Sequence, residues 1–313
     1  MTLEDLIAMY LTDVDSPFHG NRHVTKLGYC RLCNRLKADM GDRDLGTLKA
    51  REIKQQYAVW SADDKVSMAH ALATMLRIVV GFGATILEDP DCQRLRGLLA
   101  GLRFKNARRR AVHLTSDQAD DVRDYLIIEN YLAVALAQAI QQDCCLRQKD
   151  VIGEWVPLDD PEPSTIIKGH EKWVRGITRE EIDADMILTH QTSKRGQVLA
   201  FDLKNCPAVM EEWFSAPPSG PLIIDPETGF PYEGWKFRRI WRRRATAAGL
   251  PKNVWNMDTR AGAITGAFAR GANPDDIRKF AGHQNLSTTM GYSRGSEAAI
   301  ARVLLKKKVN GDE

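Results

Sequence analysis

Between Trp255 and Arg294 the chain cannot run as a single helix. Residues 255–294 read WNMDTRAGAITGAFARGANPDDIRKFAGHQNLSTTMGYSR, and three punctuation points divide a helical composition into short pieces. Gly271 can end a helix that begins at Asp258. Asn273-Pro274 is a cap followed by a first-turn proline, with Asp275 and Asp276 where the helix dipole favours negative charge. The helix that restarts at Pro274 should bury Ile277 and Phe280 and stop at Gly282, and Ser287 is a good cap for a further short helix carrying Tyr292. Arg260, His283 and Tyr292 thus fall on separate turns, and packed turns can bring three polar side chains around one anion. The chemistry suggested by these three together is attack of a phenol oxygen on a phosphodiester. A phenol titrates near about 10, so such a nucleophile needs a phosphate already held and neutralised by cations. Taken singly, Arg260 reads as a helix-end cation, His283 as a packed core residue and Tyr292 as a surface aromatic, but those readings leave the joint spacing unexplained.

Arg260 is followed by Gly282-His283, Thr288-Thr289 and Tyr292, with 23 positions from arginine to histidine and 9 from histidine to tyrosine. In order, type and spacing this constellation resembles the signature of the tyrosine recombinases, the phage-integrase family. The resemblance implies that Arg260 and His283 hold the scissile phosphate and that Tyr292 is the nucleophile. One position departs from the family: three residues before this arginine, where most members carry histidine or sometimes lysine, stands Met257, which donates no proton and accepts only weakly. Asp258 and Asn256 are the neighbours that could supply acid–base help instead.

Upstream, Leu146-Arg147 to Trp155 resembles the family's first motif, an arginine three positions before an acid and eight before a tryptophan. On that alignment Arg147 is the first catalytic arginine and Asp150 its supporting acid, an i, i+3 pair on one helical face. A second alignment would place Ala139 at the catalytic position. Lys172 to Leu203 alternates and is rich in β-branched residues, which predicts a small antiparallel sheet. The family carries a lysine on a hairpin of this sheet, and Thr192-Ser193-Lys194-Arg195-Gly196 is the matching turn. The resemblance makes Lys194 the general acid for the departing 5′ oxygen.

At 313 residues with 43% hydrophobic content the chain can build two cores. A net charge of +3 argues little for a nucleic-acid partner, but the charge is uneven. Pro17 to Val112 holds 18 Lys and Arg against 9 Asp and Glu, an excess of nine that leaves the remainder net acidic; a local excess of this size suits phosphate contacts. Helical periodicity recurs in His19–Lys37, Lys49–Trp60, Met68–Phe82 and Asp91–Arg103, after a short helix before Pro17. Four or five short helices with basic faces resemble the family's all-helical core-binding domain. The expected fold class is therefore mainly α: an all-helical core-binding domain over residues 1–104, a basic linker over 105–112, and an α-rich catalytic domain with a small antiparallel β-sheet over 113–313. A capping box at Thr115–Gln118 starts one long helix towards Ile140. Lys236–Arg244 (KFRRIWRRR) predicts a helix with Phe237, Ile240 and Trp241 on one side. The candidate DNA-binding residues are Arg22, Lys26 and Arg31 on the first basic face, Arg108, Arg109 and Arg110 in the linker, and Arg238 and Arg242 in the later helix.

Cys30 and Cys33 form a CxxC with no second pair and with helical periodicity around them, so they read as helix-face residues rather than a zinc site. The six cysteines and the absence of a secretory signal predict a reducing, cytoplasmic and nucleoid-associated setting. No membrane role is expected, since the apolar run Ile78–Ile86 is short and broken by glycines. The family resemblance implies a site-specific DNA recombinase acting through a 3′-phosphotyrosyl intermediate, with no cofactor and no metal. Its implied partners are double-stranded DNA attachment sites, further copies of itself in a tetramer on DNA, and accessory DNA-bending or directionality factors. The amphipathic tail AAIARVLLKKKV would pack in trans on a neighbouring protomer or in cis. The alternatives are a type IB topoisomerase-like enzyme and a non-catalytic DNA-binding relative.

Overall fold

A computed structural model describes residues 1–107 and 110–293. The chain divides at Arg110 into two compact units. The candidate residues Arg108 and Arg109 and the C-terminal tail lie outside the described residues.

Among its described residues the first unit has five α-helices: α1 (Leu3–Thr12), α2 (His23–Met40), α3 (Ala50–Trp60), α4 (Val66–Thr85) and α5 (Pro90–Gly101). Two of them begin where short polar side chains satisfy free backbone donors. Thr2 Oγ1 accepts from the Asp5 amide at 3.2 Å while Asp5 accepts from the Thr2 amide at 2.9 Å, and Asp89 accepts from the Cys92 amide at 2.8 Å. The centre is α4, on which α1, α2, α3 and α5 all pack. Its Leu72, Leu76, Val79 and Val80 are fully buried, and each contributes about 1.5–3 kcal/mol by leaving water. The apolar run is therefore longer than Ile78–Ile86: α4 has 20 residues and is apolar enough to cross a membrane by length and composition. It continues through Gly81 and Gly83 because packing outweighs the roughly 1 kcal/mol helix penalty of each glycine, and that apolar surface is used against its neighbours.

Lys105, the first residue of the basic run, is tied to the first unit. Its carbonyl accepts from the Tyr57 hydroxyl at 2.7 Å, and the preceding Phe104 stacks on the Tyr57 ring with centroids 4.4 Å apart.

The second unit begins with α6 (Ser116–Ile128) and α7 (Leu132–Asp143). The single long helix predicted to run to Ile140 is broken because Asn130 adopts a left-handed φ of 61° and the Tyr131 amide returns to the Leu126 carbonyl at 2.7 Å. Then follow α8 (Gln148–Ile152), strands β1 (Glu154–Pro157), β2 (Ile167–Lys168), β3 (Glu171–Val174), β4 (Ile187–Gln191) and β5 (Val198–Asp202), α9 (Pro207–Glu212), β6 (Ile224–Asp225), β7 (Phe230–Pro231) and α10 (Gly234–Ala247). The strands form three small antiparallel sheets rather than one, in order β1-β3-β2, β4-β5 and β6-β7. Last come α11 (Asp258–Ala269), α12 (Pro274–Phe280) and α13 (Leu286–Met290). The predicted breaks hold: α11 ends before Gly271, and the Asn273 side chain caps α12 by accepting from Asp275 at 2.8 Å. The last helix differs. Its cap position is Asn285 rather than Ser287, and Tyr292 lies beyond its end instead of on it.

Helix α7 is the axis of this unit, with every residue from Val134 to Ile140 buried and α6, α8, α9 and α11 packed on it. α11 is set against the segment that enters α6: the Leu114 amide donates to the Asp258 carbonyl at 3.1 Å, and a Cβ on Gly262 would lie 1.7 Å from the Leu114 carbonyl oxygen. Gly262→Ala is therefore expected to force these backbones apart and to destabilise the fold by about 3 kcal/mol, the upper part of the overpacking range. A denaturant midpoint equal to that of the unsubstituted chain would show that the contact yields easily.

Candidate active site

Arg260 occupies the first turn of α11 and is 7% exposed. Its guanidinium bonds backbone, not carboxylate: Nη1 donates to the Cys145 carbonyl at 2.6 Å and Nη2 donates to the carbonyl of Ala281, the residue that ends α12. Two chain segments are thereby fastened to one side chain. Cys145 itself holds a left-handed φ of 55°, a conformation that costs a non-glycine residue about 1–2 kcal/mol and that accompanies the turn of its carbonyl towards Arg260. Behind Arg260, Gln138 on α7 accepts from the Trp241 indole at 2.8 Å and from the Asn256 amide at 3.2 Å, and lies 3.2 Å from the Thr259 hydroxyl. This buried polar network holds the start of α11.

Arg147 stands immediately before α8 and is held by Asp150, which is wholly buried. Asp150 Oδ2 accepts from the Arg147 amide at 3.2 Å and lies 3.6 Å from the Arg147 Nη1. The other carboxylate oxygen accepts from both the amide and the hydroxyl of Ser193, at 2.8 and 2.5 Å. Asp150 thus ties Arg147 to the β4–β5 turn, whose next residue is Lys194, exposed at the tip. From the same turn Arg195 donates to the Gln284 side chain at 2.5 Å, next to His283. Burial first, and then the like charge of Arg260, lower the pKa of Arg147, with Asp150 opposing them. Ala139, the competing position, is buried within α7 and faces core side chains. Asp150→Ala would leave three donors without their acceptor. It is expected to destabilise the second unit by about 3 kcal/mol, read as a lower urea midpoint, with Asp150→Asn milder because it retains one acceptor oxygen.

His283 follows Gly282, whose φ of 56° lies in the left-handed region and where a Cβ would lie 3.2 Å from Gln197 and Leu199 of the hairpin. Because 3.2 Å is closer than an ordinary Cβ contact, this glycine permits both the turn and the approach. The His283 ring is buried, its Nδ1 lies 2.9 Å from the Thr289 hydroxyl, and the Tyr292 ring stacks on it with centroids 5.8 Å apart and planes 18° apart. Tyr292 also packs against the small cluster of Cys145, Ile264, Ala267, Ile277 and Ala281. Burial, then the charges of Arg260 and Arg147, push the His283 pKa down to about 4. An unfolded histidine titrates near about 6.5, so between there and pH 4 the unfolded chain takes a proton that the folded ring refuses. Stability should therefore fall as pH falls through this window and should be unaffected by this group above it. Unfolding midpoints of the unsubstituted chain and His283→Gln, measured from pH 4 to 8, check this.

The structure brings Arg147, Asp150, Arg260, His283 and Tyr292 into one cluster, bordered by the turn that carries Lys194. The fold has counterparts among solved structures. Residues 75–356 of lambda integrase, solved as a dimer bound to a COC′ core site, match with a TM-score of 0.74 at 15% identity over 95% of this chain and 98% of that one. The chain has the integrase fold. A lambda integrase tetramer bound to a Holliday junction matches at 0.68 and 15% identity, covering 93% of this chain and 77% of that one. Residues 82–397 of the Tn1549 transposon integrase, in complex with circular intermediate DNA, match at 0.67 and 16% identity, over 97% and 99%. No protein-family model and no curated protein matches the sequence significantly. The resemblance read from the motif residues is thus met at the level of fold.

On this integrase fold, Met257 is 61% exposed at the start of α11 and lines a cleft of about 310 Å³ with Gln148, Arg238, Trp241, Trp255 and Asn256. The two neighbours considered as its substitute are both buried and hydrogen-bonded. Asp258 is buried and accepts from the Trp255 amide at 2.8 Å, and the Asn256 amide is engaged by Gln138 and Gln141. The basic residues divide similarly. Arg22, Arg31, Arg110 and Arg238 are exposed and Lys26 is half-buried. Arg242 departs from the expected DNA-facing position: it donates to the carbonyls of Leu250, Pro251 and Val254, holding the segment that leads into α11. Arg244, in the same run, is buried against Tyr131 and paired with Glu129. The residues missed in the sequence are Cys145 and Ala281, which act through carbonyls, Ser193 and Gln138. Only Ser193, beside Lys194 in a polar turn, carried any signal.

Proposed function

We propose that this chain is a site-specific DNA recombinase that cuts and rejoins strands through a 3′-phosphotyrosyl intermediate. The observation that carries the reading is the convergence of two arginines, one buried neutral histidine and one tyrosine stacked upon it. Arg147 and Arg260 hold the non-bridging oxygens of the scissile phosphate, and His283 hydrogen-bonds the same group. Tyr292 Oη attacks phosphorus, its proton leaving to solvent, and the bond to the 5′ oxygen breaks as Lys194 protonates it. The energy of the broken bond remains in the phosphotyrosyl link, so the 5′ hydroxyl of a partner strand can reverse the step without nucleotide or metal. Phosphoryl transfer of this kind rests on positioning and charge stabilisation, which is why Met257 in place of a proton-carrying side chain affects rate rather than reaction type. The substrate is double-stranded DNA, the exposed basic residues of the first unit meet its backbone, and strand exchange between two duplexes calls for four copies. Accessory bending or directionality factors would act on the same complex.

The test is to mix the protein with fragments of genomic DNA, denature in detergent and sequence whatever DNA remains covalently attached. Adducts gathered at one sequence support the recombinase. Adducts dispersed over many sequences identify a topoisomerase-like enzyme, and none at all, with DNA binding intact, identifies a non-catalytic DNA-binding relative.

A further inference from the structure

We propose that Thr289 is a positioning residue that fixes the tautomer of His283: its hydroxyl donates to Nδ1 and so keeps the ring proton on Nε2, facing the phosphate. Thr289 is 0% exposed, and among the described residues the partner of its hydroxyl is the His283 Nδ1 at 2.9 Å. A buried hydroxyl has one proton to place, and leaving it without an acceptor is unfavourable. If Nδ1 carried the ring proton, both groups would present hydrogens to each other unless the threonine accepted, and its own proton would then have no acceptor. The arrangement that satisfies both groups has Thr289 donating and Nδ1 bare.

Charge favours the same tautomer. The charged groups beside this ring are Arg260 and Arg147, and Tyr292 stacks on it; the Arg278 backbone carbonyl accepts from the His283 amide at 2.9 Å, while its guanidinium donates to Asp275. Arg195 reaches the adjacent Gln284. Burial first, and then the charges of Arg260 and Arg147, keep the ring neutral, so only one nitrogen can donate. A phosphate accepts and does not donate, and a neutral histidine serves it only if the nitrogen turned to it bears the proton. Thr289 makes that choice before substrate arrives, which spares the site a reorganisation at the moment of reaction.

This inference rests on the recombinase reading for its consequence but not for its test. Full-length protein labelled with ¹⁵N-histidine, with His283→Gln to assign the signal, should show His283 at neutral pH as the Nε2–H tautomer. Finding Nδ1–H instead would overturn the proposal. Thr289→Val should return the ring to a mixture of tautomers and slow adduct formation about 10²-fold, the scale of losing one hydrogen-bond donor to a developing charge; Thr289→Ser should restore both. An unchanged tautomer in Thr289→Val would also overturn it. Should the valine variant fail to fold, the spectra of the unsubstituted chain and of Thr289→Ser still decide. An Nε2–H ring in a protein that forms no adduct would leave the positioning role standing and remove the recombinase.

Discussion

Tyr292→Phe is expected to abolish the covalent protein–DNA adduct while leaving folding and DNA binding in place. Phenylalanine keeps the ring that stacks on His283 and packs beside Ile264 and Ile277, so the substitution removes one oxygen from a half-buried side chain and should change stability by no more than about 1 kcal/mol. The chemical effect is of another order. With no phenol oxygen there is no acceptor for the phosphoryl group, and removal of a nucleophile costs on the order of 10⁶-fold in rate. Detergent-resistant adducts should fall below detection while a mobility-shift titration of the same DNA is unchanged. Adducts that persist in the phenylalanine variant would place the nucleophile elsewhere and sink the assignment of Tyr292.

Arg260→Ala should lose both catalysis and stability, and the two losses have different origins. The guanidinium satisfies the carbonyls of Cys145 and Ala281 in a buried setting; leaving both without a donor costs about 1–3 kcal/mol each. On the proposed mechanism Arg260 also holds the phosphate, so its loss should slow adduct formation by about 10³-fold. Arg260→Lys separates the effects. A lysine retains the charge but cannot span two carbonyls and a phosphate with a fixed fork, so the lysine variant should recover part of the stability and little of the rate. Equal rates for Arg260→Lys and the unsubstituted chain would mean that Arg260 acts as a charge alone. Thermal unfolding and adduct kinetics on the two variants give the comparison.

How far the molecule could be read from its sequence depends on which atoms do the work. Gly271, Asn273-Pro274 and Gly282 act through backbone geometry that follows from residue type, and they delimited α11 and α12 correctly. The basic run of α10 misled in part, because a sequence records that Arg242 is charged but not that carbonyls at residues 250–254 surround it. The break between α6 and α7 was hidden for a related reason: Asn130 takes a left-handed turn that its neighbours' helical propensity does not announce. α4 was underestimated because its glycines were read by intrinsic preference, when packing on four other helices decided the matter. In the candidate site, Arg260, His283 and Tyr292 stood out as a spaced set and Arg147 through a separate upstream motif, and the fold places the four side chains near one another. What tethers them was not legible, since Asp150 reaches Ser193 across 43 residues and Arg260 is held by oxygens that every residue type possesses.

That last feature bears on how such a site can change over generations. A clamp built on side-chain counter-ions can be weakened by any substitution of the counter-ion, and its two halves must drift together. The partners of Arg260 belong to the main chain at Cys145 and Ala281, so replacements there alter packing while the accepting oxygens remain. Selection can then let the surrounding sequence wander so long as the paths of two loops are kept.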